Sequence, residues 1–230
     1  MVERAASPAR KPIVLSPSIF HAHWVPPAIR QGDGGPRAAR SATPSRSSST
    51  STSARKWMDE HGVQMHVLTL NGGMPWQLVT PEEGVRLAQI VNDAGVEAAR
   101  QRFPTALSPR SSCRFVTPTS ALKELNRVAG KPGLRAVHLP DSIDNRDYLF
   151  QPEFAPLLAR IEELGYPILF HNLNSDLFGR RPADAGLDNT FAHAVLAAKF
   201  ISTGTLDRFP KLEIVLPHAG GAFPFVAGRT

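Results

Sequence analysis

The sequence predicts an α/β protein of the (β/α)8 TIM-barrel type, incomplete, and three observations carry that prediction. Short apolar runs bounded by Gly and Pro alternate with longer stretches whose apolar residues recur every three or four positions. The runs are apolar at consecutive positions, as strands of a parallel sheet covered by crossover helices are. About six strand–helix units can be counted, short of the eight that close a barrel.

Taken in order, the first apolar run ends at His21, and the second is VQMHVLTL, Val63 to Leu70. Thr80-Pro81-Glu82-Glu83 then reads as a capping box with proline at the first helical position, and Leu87, Val91, Ala94 and Ala98 recur on one face. A third strand is expected near Cys113 to Val116. Leu122, Leu125 and Val128 mark a helix that stops before Gly130, and LRAVHL, Leu134 to Leu139, is the fourth strand. Phe154, Leu157, Leu158, Ile161 and Leu164 share a helical face that Gly165 terminates. PILFH, Pro167 to His171, follows as a strand; Asp188 is placed as the cap of a helix reaching Gly204; LEIVLPH, Leu212 to His218, is the last strand.

Two segments fit this pattern badly. Residues 31–54 are rich in Ser and Arg and hold no aliphatic side chain larger than alanine, so they bury too little surface to offset the entropy of ordering and are expected to be a disordered insert. Residues 1–12 are expected to be disordered as well, and 13–230 to form one barrel domain. The stretch PTALSPRSSCRFVTP carries prolines at 104, 109 and 118 where a strand is due.

Composition narrows the function classes. The net charge of +6 is concentrated: residues 30–56 carry +5 and residues 100–114 carry +4, which leaves the rest mildly acidic. Neither basic segment interleaves aromatic residues as a single-strand nucleic-acid surface does, so no nucleic-acid partner is expected. No apolar run approaches the roughly 18 to 20 residues of a membrane span, so no membrane partner is expected either. The lone Cys113 excludes an internal disulfide and fits a reducing, cytoplasmic setting.

Histidine placement carries the functional reading. In SIFHAHWVPP, His21 and His23 stand at i and i+2, which in an extended chain share one face. The pair is either a metal-binding unit or two unrelated imidazoles in a surface turn; a zinc site needs a further donor from elsewhere. His171 and His218 each close a strand-like run, and in a parallel barrel the carboxyl ends of the strands converge. Four such histidines favour a metal site built from nitrogen donors that suit zinc. His138 either lines the pocket or packs, while His61, His66 and His193 are given structural or solvated roles. Trp24 and Trp76 stand at strand ends as pocket walls or rim residues. Gly220 and Gly221 either let backbone approach the site or form a plain loop.

The segments FHAHWVPP, LGYPILFHNL and GTLDRFPKLEIVLPHAGGAFPFVAGR resemble the amidohydrolase superfamily, in particular the branch of aminocarboxymuconate-semialdehyde decarboxylase. RKWMDEHGVQMHVLTLNGGMPW is similar to the same branch. The resemblance implies a stretch like Phe-Pro-Asp-Arg-Phe-Val-Ala near Phe103, and one deleted nucleotide in its reading frame produces the observed Phe103 to Pro109, so a local frame shift is expected there. The resemblance implies a (β/α)8 barrel in which His21, His23 and His171 ligate a divalent metal, zinc before manganese or iron, and His218 stands beside the activated water. It implies a metal-dependent decarboxylase of a small carboxylated substrate, with a metal-dependent hydrolase of the same superfamily as the alternative. Substrate carboxylates in such sites meet an arginine, for which Arg30, Arg55 and Arg229 are available. The family's aspartate at the end of the eighth strand has no counterpart before Thr230, so weakened metal binding and an inactive truncated fragment are the further expectation. Unpaired sheet edges leave room for a homodimer.

Overall fold

The computed structural model describes residues 19–24, 51–63, 65–70, 80–100, 105–107, 117–141, 147–171 and 185–229. Six strands alternate with helices in the order β1 (Ile19–Trp24), α1 (Ser51–Glu60), β2 (Met65–Leu70), α2 (Pro81–Arg100), β3 (Thr105–Leu107), α3 (Pro118–Val128), β4 (Val137–Pro140), α4 (Ala155–Leu164), β5 (Ile168–His171), α5 (Ala185–Ser202), α6 (Thr205–Arg208), β6 (Ile214–Val215) and α7 (Phe223–Val226). Each set of three strands forms a parallel sheet in sequence order, β1-β2-β3 and β4-β5-β6. Sequential parallel order with a helix in each connection is the topology of a partial (β/α)8 barrel.

The β4–β6 sheet shows why the sequence folds this way. Val137 and Leu139 of β4 and Ile168 and Phe170 of β5 lie in one apolar cluster with Leu157, Leu158 and Ile161 of α4 and Leu196 and Phe200 of α5. Side chains alternate across a strand, so His138, Pro140 and Leu169 occupy the opposite face, the one that points away from the helices. Register joins the two rows: His138 pairs with Leu169 and Pro140 with His171. Ile161 and Ile168 are fully buried, and each such side chain contributes about 1.5–3 kcal/mol by burial. Gly165 ends α4 in the left-handed conformation with φ 63°, and its N–H reaches back to Glu162 and Ile161.

The seam between α2 and α3 is polar by comparison. Asn92 Nδ2 donates to buried Glu124 at 2.7 Å, and Arg127 donates to both Glu124 oxygens and to Asp93 at 2.7–2.8 Å. Those carboxylates hold the Arg127 guanidinium above its ordinary range, the hydrogen bond to Glu124 contributing most. Val96, Val128 and Leu134 form a small apolar cluster beside them.

Several sequence expectations change position. The strand expected at 113–116 falls outside the described residues; β3 instead lies at Thr105–Leu107, three residues between Pro104 and Pro109 that no proline interrupts. Residues 31–50 of the expected insert, like residues 1–12, lie outside the described residues, but 51–54 are helical rather than disordered. The reason is local: Ser51, Thr52 and Ser53 suit a helix start, and Ala54 through Glu60 are good helix formers. Thr80 does cap α2, accepting from the Glu83 N–H at 3.3 Å, while the Glu83 carboxylate turns to Arg86 instead of closing the reciprocal bond. The buried stripe of α2 runs through Ala88, Val91, Asn92 and Val96, one position on from Leu87 and Ala94. Asp188 is not a cap: α5 starts at Ala185, three residues earlier. The last strand is also shorter than LEIVLPH, because Pro217 has no N–H to donate and the chain then leaves the extended region.

Candidate metal and proton-transfer site

β1 is a regular strand paired with β2 in parallel, with His21 opposite Val67 and His23 opposite Thr69. The two histidines therefore occupy alternate positions on one face, near the carboxyl end of the strand. His171 is the last residue of β5, at the carboxyl end of its sheet. The side chains of His21, His23 and His171 lie outside the described part of the structure, and so do Arg30 and Trp76. Among the described residues no group of three His, Cys, Asp or Glu side chains is arranged to hold a metal.

Described in full is His218. It follows β6 by three residues rather than ending it, at φ 51°, and Ala219, Gly220 and Gly221 continue at 55°, 76° and 62°. Two non-glycine residues in the left-handed region cost of order 1–3 kcal/mol each, a strain that clusters at functional sites. The turn is held against α5: the Ala222 N–H donates to the Thr190 carbonyl at 3.1 Å. Gly221 approaches the same carbonyl so closely that a Cβ there would overlap it. The close approach that Gly221 permits is to the backbone of α5.

The helix on which the turn is pinned brings a partner. His193 of α5 is completely buried, and its Nδ1 lies 3.3 Å from His218 Nδ1, the ring centroids 5.1 Å apart and inclined at 41°. His193 is thus structural in the sense of being packed, but it also touches the proposed proton-transfer residue. His138 is also buried, on the inward face of β4 beside Leu169. Asp141 follows the carboxyl end of β4 and is 9% exposed, a buried carboxylate that the sequence reading passed over. Tyr148 steadies that strand end by donating from its hydroxyl to the Pro140 carbonyl at 2.8 Å. His61, by contrast, lies at the exposed end of α1, stacked on Trp57 with its Nδ1 2.8 Å from the Trp57 carbonyl.

A profile of the amidohydrolase family matches residues 20–228, nearly the whole of this arrangement from β1 to α7. The chain belongs to the amidohydrolase family. This amidohydrolase is 25% identical over 186 residues to gamma-resorcylate decarboxylase of Rhizobium radiobacter, covering 76% of the chain and 57% of that protein. It is 25% identical over 175 residues to 2-amino-3-carboxymuconate-6-semialdehyde decarboxylase of Dictyostelium discoideum, covering 75% of the chain and 48% of that protein. Among solved structures it resembles 5-carboxyvanillate decarboxylase from Sphingomonas paucimobilis, with TM-score 0.71 and 27% identity over 92% of the chain and 70% of the other. The amidohydrolase chain spans a little over half the length of the first of these relatives.

Proposed function

We propose that this chain belongs to a metal-dependent decarboxylase acting on a small carboxylated aromatic substrate, with His21, His23 and His171 as ligands of a divalent ion and His218 as the proton-transfer residue. The observation that carries the reading is the placement of the four histidines on parallel strands or just past them, in a chain whose relatives are decarboxylases. The donor chemistry fits: neutral imidazoles at strand ends suit zinc, and manganese or iron accept the same set. When bound, the ion supplies a Lewis acid that polarises substrate oxygen and activates water.

The protein's own groups do the rest. The bond between the ring and its carboxylate breaks, carbon dioxide leaves, and the electron pair stays on the ring carbon until a proton replaces the lost group. His218 is exposed on a strained turn at the end of the β6 connection, where its ring can accept a proton and return it. On the face of the sheet opposite the helices, buried His138 stands beside Leu169. No helix among the described residues is long and apolar enough to cross a membrane, and a cytoplasmic location with no nucleic-acid partner remains part of this proposal. A homodimer would cover open sheet edges.

The same constellation serves hydrolysis, so the test separates the two. The metal-loaded chain is incubated in 18O-labelled water with gamma-resorcylate or 5-carboxyvanillate and, separately, with an aryl ester and a lactone, and gas and product are followed by mass spectrometry. Carbon dioxide release from the carboxylated aromatics without label in the product is expected. Label in the ester or lactone product, with no carbon dioxide from the carboxylated aromatics, would assign a hydrolase, and neither signal would contradict both readings.

A further inference from the structure

The geometry points to His193 as a positioning residue that fixes the tautomer of His218, its Nδ1 accepting the His218 Nδ1–H so that His218 Nε2 is left as a bare lone pair. The inference deepens the proposed reaction and rests on it for the direction of the hydrogen bond. The contact itself rests on geometry alone: the two Nδ1 atoms are 3.3 Å apart.

Two ring nitrogens at that distance cannot both carry a proton, nor can both be bare without lone pairs facing each other. With both rings neutral, one is therefore the Nδ1–H tautomer and the other the Nε2–H tautomer. A residue that takes a proton from water or substrate at Nε2 needs that nitrogen unprotonated, which makes His218 the donor and His193 the acceptor. His193 is suited to the task because it cannot turn away. It sits on an 18-residue helix, has no solvent exposure, and neighbours Leu196 and Ala197, which are buried with it. His218 is held in place from the other side. Its turn is fastened to Thr190, one helical turn before His193, through the Ala222 N–H and the close approach of Gly221. Three consecutive contacts, at Thr190 and His193 on the helix and at 218–222 on the turn, make one rigid unit.

The test reads the tautomer directly and needs neither substrate nor metal. Ring 15N shifts of the labelled full chain are recorded, with His218 assigned by its loss in His218→Ala. A protonated Nδ1 and a bare Nε2 on His218 are expected in the wild type. His193→Phe, which fills the volume without an acceptor, should return His218 to a tautomer mixture, and His193→Asn, which keeps an acceptor at the Nδ1 position, should restore the wild-type pattern. In the decarboxylation assay, kcat should fall by about tenfold or more in His193→Phe with KM changed by less than about twofold, and recover to within about threefold in His193→Asn. A wild-type His218 protonated at Nε2, or a His218 pattern indifferent to the His193→Phe change, would overturn the inference. The wild-type spectrum alone can do so even if His193→Phe fails to fold. Absence of carbon dioxide release from wild type bears on the reaction, whereas the ring shifts decide the pairing separately.

Discussion

The sheet β4–β6 and the seam between α2 and α3 solve the same problem, joining helices to their neighbours, by different means. Behind β4 and β5 the contact is wholly apolar, with Ile161, Ile168 and Leu158 shielded from solvent. Across the α2–α3 seam it is a hydrogen-bonded cluster of Asn92, Glu124, Arg127 and Asp93 beside the small apolar cluster of Val96, Val128 and Leu134. The apolar contact gives bulk stability and tolerates small shifts. The polar contact gives less energy but fixes register, because each donor must meet its own acceptor. Histidines of the proposed site stand on β1, before the seam, and on β5 and the β6 turn, after it.

The comparison can be broken at its strong end first. Ile161→Ala should destabilise the chain by about 3–4 kcal/mol in a denaturant titration, since it opens a cavity where the surroundings cannot collapse. Gly221→Ala forces both a left-handed alanine and an overlap with the Thr190 backbone, and should cost about 2–3 kcal/mol while separating the His218 and His193 ring signals. Glu124→Leu, at the seam, should cost about 1–3 kcal/mol, because Asn92 and Arg127 lose a buried acceptor although Arg127, a third exposed, keeps Asp93 and water. The contrast sharpens if Glu124→Leu lowers metal affinity more than Ile161→Ala does at equal residual stability. Smallest is Ala219→Gly, which removes a non-glycine residue from the left-handed region and should stabilise by about 0.5 kcal/mol by thermal melting.

Periodicity made the apolar half legible. Leu157, Leu158, Ile161 and Gly165 are read correctly because burial and capping there agree with local spacing. The polar seam was not readable, since Asn92 and Glu124 are 32 residues apart and nothing in either helix alone distinguishes them from solvated side chains. The strand expected at 113–116 lies outside the described residues, and β3 at Thr105–Leu107 gave no signal because a three-residue strand carries too little pattern to outweigh the prolines around it. At the candidate site, the HxH spacing of His21 and His23 predicted alternate positions on a strand, and β1 has them. His193 is read as a structural or solvated residue of a helix, and its burial in α5 agrees with the structural role; its meeting with His218 was not legible, because it depends on a left-handed turn that only the run HAGG hinted at. Asp141 gave no signal, since an acid after a proline reads as a turn.

Metal stoichiometry tests the central claim most directly. After incubation with zinc and removal of excess by gel filtration, elemental analysis should find about one equivalent per chain in the wild type and a loss to under about a fifth in His171→Ala. Wild-type protein that is folded by circular dichroism yet retains less than about a tenth of an equivalent of zinc, manganese or iron would contradict it.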